Sequence, residues 1–258
     1  MRPRPNRRIR LGIATLPVSS YANWQAQPDY TREFPLIITR RAFTTALSLT
    51  GLAAFAGLSP LRLIDPALAQ AAGAVSAADV AKPGALPDMA IGKLDAPVTI
   101  VEYASLTCGH CAHFHEKVFS KIKTDYIDTN KIKYVFREFP LDIKAAAGSM
   151  LSRCIANGDA GKYFAVTDLL FRQQEDWVMK DTTATLKRIG KQAGLGEQAV
   201  ETCLKDQALL DKIAADQKYA NEVLQVNSTP TFFINGEMLK GDNSFDEFDK
   251  RIKALLKS

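Results

Sequence analysis

Two cysteines set between a strand and a helix constrain this 258-residue chain more than any other feature. Val98-Thr99-Ile100-Val101-Glu102-Tyr103 is β-branched and apolar, the pattern of a buried strand. Cys108-Gly109-His110-Cys111 follows shortly after it. Beyond the second cysteine, Phe114, Val118, Ile122 and Tyr126 recur at four-residue spacing, one apolar helix stripe suited to core packing. Lys131-Ile132-Lys133-Tyr134-Val135-Phe136 then alternates as a second strand. A cysteine at a helix mouth meets unpaired backbone N–H groups and the positive end of the helix dipole. Both stabilise a thiolate, the reactive form of the side chain. A second thiol one turn on can close a disulfide with the first. Cys108 is therefore the candidate nucleophile and Cys111 the resolving thiol; the alternatives are a structural pair or metal ligands.

Residues around the pair extend the reading. His110 lies between the cysteines, where an imidazole beside a thiolate favours the anion; the plainer alternative is a solvated loop histidine. Glu102 interrupts an apolar strand six residues before Cys108. Buried there, it can exchange protons with the resolving thiol; otherwise it is a solvent-facing strand-edge residue. All three histidines fall within 108–115, which raises a zinc site. No distant further ligand is evident, so no metal and no cofactor are expected, and His113 and His115 read as helix-surface residues.

Near the other end, Asn227-Ser228-Thr229-Pro230-Thr231-Phe232-Phe233-Ile234 turns into a short strand that closes at the hairpin signal Asn235-Gly236. Phe245, Phe248, Ile252 and Leu255 mark a last amphipathic helix. Together with the upstream CxxC, Thr229-Pro230 resembles the cis-proline loop of thioredoxin-fold proteins. The order and spacing over residues 88–257 are similar to those of the DsbA family of periplasmic thiol–disulfide oxidoreductases. The resemblance implies an α/β, thioredoxin-like fold with a helical subdomain inserted between the second strand and the cis-Pro loop, at about 141–215. It also implies that Glu102 is the acid beneath the cysteines and that His110 makes the disulfide a stronger oxidant. Thr229 and cis Pro230 would face Cys108 and pair with extended substrate, and a DsbB-type membrane partner would reoxidise the cysteines. The rivals are an isomerase or reductase of the same fold, because CGHC also occurs in disulfide isomerases, and a Cys/His metal-binding module.

Residues 1–69 read as an export leader. Arg40-Arg41-Phe43 resembles a twin-arginine signal, a mildly apolar run follows, and Ala67-Leu68-Ala69 is a small-x-small cleavage site. The leader carries nine of the 33 Lys and Arg and three of the 28 Asp and Glu, so the rest, with 24 basic and 25 acidic residues, is close to neutral. The overall +5 therefore makes no case for nucleic-acid binding. Ala-, Gly- and Pro-rich residues 70–90 read as a flexible linker and 91–257 as one domain, expected to be a periplasmic monomer acting on unfolded or reduced exported proteins; an uncleaved membrane anchor is the alternative. Once the CxxC is assigned, the even cysteine count leaves Cys154 and Cys203 as partners in a structural disulfide. The alternative is two buried free thiols.

Overall fold

A computed structural model of the chain describes residues 75–257. The export signal read over 1–69 lies outside the described residues. Five strands form one sheet in the order β1-β3-β2-β4-β5. They are β1 Met89–Gly92, β2 Val98–Ala104, β3 Ile132–Glu138, β4 Thr231–Ile234 and β5 Glu237–Met238. The two long apolar runs become the central parallel pair β2 and β3, with Ile100 opposite Tyr134 and Glu102 opposite Phe136. β1 lies antiparallel on β3, and β4 antiparallel on β2.

Side chains alternate between the two faces of a sheet, and this chain buries both. On one face Ile100, Tyr134, Phe136 and Phe232 pack under the site helix and the helical insertion. On the other, Val101, Tyr103, Val135 and Phe233 meet Val80, Ala220, Leu224 and Val226. Val80 belongs to helix α1 (Ala77–Ala81), which falls in the stretch read as a flexible linker. Arg137 orders this segment. Its guanidinium pairs with Asp88 at 2.8 Å and donates to the Val80 carbonyl at 2.9 Å and the Lys82 carbonyl at 3.4 Å.

Helix α2 runs continuously over 109–127 and is π-wound at His115–Phe119 and Lys123–Ile127. These wider turns correct the strict four-residue stripe. Phe114, Ile122 and Tyr126 are buried as expected, but so are His115, Phe119 and Ile127. His115 is thus a core residue rather than a helix-surface one, whereas His113 does face solvent.

The insertion comprises α3 Ile143–Ala156, α4 Ala160–Arg172, α5 Gln174–Met179, α6 Thr182–Gln192, α7 Glu197–Leu204 and α8 Gln207–Glu222. Four of these six start on an aspartate whose carboxylate accepts a first-turn N–H: Asp142 from Ala145, Asp159 from Lys162, Asp181 from Ala184 and Asp206 from Leu209. Such caps satisfy donors that a helix start otherwise leaves unpaired. Cys154 on α3 and Cys203 on α7 are joined in a disulfide with Cα atoms 6.2 Å apart. Arg153, Glu138 and Tyr163 form a buried polar cluster at the foot of the insertion, with Arg153 Nη2 2.7 Å from Glu138 Oε2 and the Tyr163 hydroxyl 2.7 Å from Glu138 Oε1. α9 (Phe245–Leu255) returns Phe248 and Ile252 to the core.

At the β4–β5 turn, Asn235 and Gly236 both have positive φ, 49° and 86°, as a two-residue hairpin of this kind requires. A Cβ on Gly236 would also lie 2.4 Å from that of Ala77, so only glycine fits under α1.

Candidate active site

Cys108 caps α2 with extended backbone, φ −78° and ψ 117°, so its sulfur sits where the first helical N–H groups point. The strand-to-helix loop is held from several sides. The Cys108 N–H donates to the Ser105 carbonyl at 3.0 Å. The Thr107 hydroxyl donates to Asp142 at 2.7 Å, which joins the loop to the cap of α3. Gln174 Nε2 donates to the carbonyls of Leu106 at 2.8 Å and Cys108 at 3.0 Å. Leu106 packs into the space left by Gly148, beside Trp177.

Opposite Cys108 stands the loop before β4. The Thr229–Pro230 bond is cis, and the Cys108 thiol donates to the Thr229 carbonyl at 3.3 Å. The Cys108 pKa is lowered to about 5. The chief cause is a hydrogen bond from the Cys111 thiol, opposed by burial; the Thr229 side chain and the backbone N–H groups of Cys111 and His110 act in the same direction as the first. A thiolate cannot donate to the Thr229 carbonyl, so ionisation turns the site toward these donors. The Thr229 hydroxyl, which has no other partner, is free to take up that role.

Cys111 behaves oppositely. It is fully buried, and burial, its bond to Cys108 and the charge of Glu102 all push its thiol up. One thiol of the pair is thus held ready as an anion and the other as the protonated partner, the division of labour that disulfide exchange uses.

His110 is exposed; what it turns toward the sulfur is its backbone N–H. Glu102 is fully buried beneath the pair. Its Oε2 accepts from the Tyr134 hydroxyl at 2.7 Å and lies 2.9 Å from His115 Nε2. The three histidines therefore diverge, and among the described residues no three His, Cys, Asp or Glu side chains converge as a metal requires. A groove of about 680 Å³ runs from His110 and Thr229-Pro230 past Lys117 and Lys121 to Phe245 and Asp246.

Sequence reasoning missed three residues here: Gln174, Tyr134 as a polar partner, and His115. His115 had a readable signal, since it lies four positions after Cys111 and hence on the same helix face. Gln174 had none, because its role depends on how α5 docks.

A strand, a CxxC at the helix mouth, a cis-proline loop against the first cysteine and a helical insertion stand together here, and the thioredoxin family model matches residues 85–254. The α-DsbA1 of Wolbachia pipientis is 34% identical, with a TM-score of 0.64, and the match covers 70% of this chain and 96% of that one. The chain belongs to the thioredoxin family, and within it to the DsbA proteins. A provisionally named protein-disulfide oxidoreductase of Rickettsia bellii is 35% identical over 150 residues, 58% of this chain and 57% of that protein. The chain thus spans well under two thirds of that relative. Disulfide bond formation protein D of Bacillus subtilis is 25% identical over 172 residues, 65% of this chain and 76% of that protein. Among the described residues no helix is long and apolar enough to cross a membrane.

Proposed function

We propose that this DsbA-family chain is a thiol–disulfide oxidoreductase that introduces disulfides into exported proteins. The observation that carries the proposal is the placement of Cys108 at the mouth of α2 against the cis Thr229–Pro230 loop, where its pKa is lowered to about 5. A thiolate stabilised in the reduced protein makes the reduced form the favoured one, and hence the Cys108–Cys111 disulfide oxidising.

In the reaction, a substrate thiolate attacks Cys108 Sγ. The Cys108–Cys111 bond breaks and its electron pair goes to Cys111 Sγ, which takes up a proton. A second substrate thiolate then attacks the substrate sulfur of the mixed disulfide. Cys108 leaves as a thiolate stabilised by the helix mouth, and the substrate departs oxidised. Glu102 serves Cys111 as proton donor and acceptor. The exposed imidazole of His110 adds positive charge near the sulfur when it is protonated. Thr229 pairs through its backbone with an extended substrate segment, and Pro230, which lacks an N–H, leaves the thiolate unobstructed. That mode is indifferent to side chains, so the substrates are unfolded or reduced proteins as a class.

Periplasmic location, export by the segment at 1–69, action as a monomer and reoxidation by a DsbB-type quinone-linked membrane protein belong to the same proposal. The acidic Cys108 supports the oxidase over the isomerase. The test is oxidative refolding of a reduced, unfolded protein with the oxidised chain, together with the equilibrium of Cys108–Cys111 against glutathione. An oxidase drives refolding stoichiometrically and comes to equilibrium largely reduced. A pair that comes to equilibrium largely oxidised, with no refolding, refutes the reading.

A further inference from the structure

His115 follows Cys111 by one helical turn, and the π-wound segment that starts there turns it and Phe119 inward together. The side chain is 2% exposed. It stacks on Phe171 with ring centroids 4.4 Å apart and packs against Phe119 at 4.7 Å, while Phe136 lies edge-on at 5.9 Å. The polar groups facing it are Glu102 from β2 and, through the same carboxylate oxygen, Tyr134 from β3. Two atoms of this buried pair have no partner, Glu102 Oε1 and His115 Nδ1. A bare buried polar atom costs about 1–3 kcal/mol, and an all-apolar core would avoid that cost.

The pair also bridges two environments. On one side is Cys111, fully buried and close enough to Glu102 to feel its charge. On the other is a groove of about 1340 Å³ between α2 and α4, and His115 forms part of its wall with Phe119, Phe164 and Phe171. Neither Cys111 nor Glu102 lines that groove.

We infer that His115 carries protons between this groove and Cys111 by way of Glu102, so that the buried thiol exchanges its proton through the back of the site and not past the bound substrate. An imidazole can accept at one nitrogen while releasing at the other, which suits it to such a shuttle. The inference rests on the oxidoreductase reading. When a disulfide such as oxidised glutathione has exchanged with Cys108, the Cys111 thiol gives its proton, by way of one water, to the Glu102 carboxylate. The carboxyl passes a proton to His115 Nε2, and the imidazole releases its Nδ1 proton to water in the groove. Cys111 Sγ attacks Cys108 Sγ, the bond to the glutathione sulfur breaks, and glutathione leaves with the electron pair. When the protein's own disulfide is opened, the proton enters at Nδ1 and travels the other way.

The test follows the full chain, reduced, against oxidised glutathione by acid quench and mass spectrometry. The first step forms the mixed disulfide at Cys108 and does not require Cys111 to lose its proton; the second closes Cys108–Cys111. His115→Gln keeps a group that can hydrogen-bond Glu102 but cannot shuttle a proton. The mixed disulfide should accumulate, with the second step slowed about tenfold or more, within the range of general acid–base contributions, and the first step unchanged. Added imidazole should restore part of the second step in His115→Ala, a rescue that a purely structural role would not give. A second step in His115→Gln within about twofold of the unsubstituted rate, far below that range, overturns the inference. If both variants fail to fold, the unsubstituted protein decides: the second step must slow in D₂O more than the first, and equal isotope effects overturn the shuttle. If the unsubstituted protein forms no mixed disulfide at all, it is the oxidoreductase reading that fails.

Discussion

Reduced and oxidised forms of this protein should differ in stability by an amount that changes with pH, and the Cys108 pKa sets the window. Only the reduced form has a Cys108 thiol to titrate. Its pKa is about 5 when folded and about 8.5 in an unfolded chain. A depressed pKa gives stability that is fully present above the unfolded value and is lost as pH falls through the folded one. At pH 7 the two-unit gap above 5 corresponds to about 2–3 kcal/mol in favour of the reduced form, at ~1.4 kcal/mol per unit. The advantage should grow with that slope between about pH 5 and 8 and decline above about 8.5. Urea unfolding of both forms across that range measures it, and thiolate absorbance gives the midpoint independently. Cys111, whose thiol burial holds well above its ordinary range, adds little below about pH 8, but it ionises in the unfolded chain near about 8.5 and so draws the reduced form's stability down at higher pH. A midpoint near 8, or a stability difference that is flat across the window, would refute the argument that helix-mouth donors and the Cys111 thiol hold the anion.

Other expectations are simpler. Cys154→Ala should lower stability by up to about 4 kcal/mol, the chain-entropy value for a 49-residue separation, while the thiolate midpoint of Cys108 stays in place. Arg153→Met leaves Glu138 buried and short of its cation, and should cost about 3–5 kcal/mol in denaturant unfolding; Arg153→Met with Glu138→Gln should recover part of it, and no recovery would argue against the pair. In an exposed helix Gly190→Ala would gain up to about 1 kcal/mol. Here the new Cβ would lie 2.4 Å from the Val200 Cγ2, so the substitution should destabilise, and Val200→Ala should relieve it.

The fold was largely legible because its signals are local. The β-branched, apolar run at 98–103 reads as a buried strand, the alternating run at 131–136 as a second, and Asn235-Gly236 marks a hairpin. The chemical type of the site was legible for the same reason: a cysteine between a strand and a helix meets the helix mouth whatever surrounds it. Within the stretch read as a linker, the described residues 75–90 hold a helix that composition does not signal, since what orders Val80 and Lys82 is Arg137, some fifty-five residues away.

By itself, then, the sequence determined the strand, the cysteine pair, the helix and the proline loop, and that the two remaining cysteines were available to each other. Tertiary structure decided how far the two thiols part: burial holds Cys111 protonated, and the Thr229 loop arrives against Cys108 across 121 residues of chain. It also decided that His115 lies in the core beside Glu102 and His113 in water. Both are histidines on one helix, and the difference comes from two π-wound turns and from Phe171, contributed by a helix more than fifty residues on. Local pattern fixes what a residue can do; burial and long-range partners, which no local pattern encodes, fix what it does.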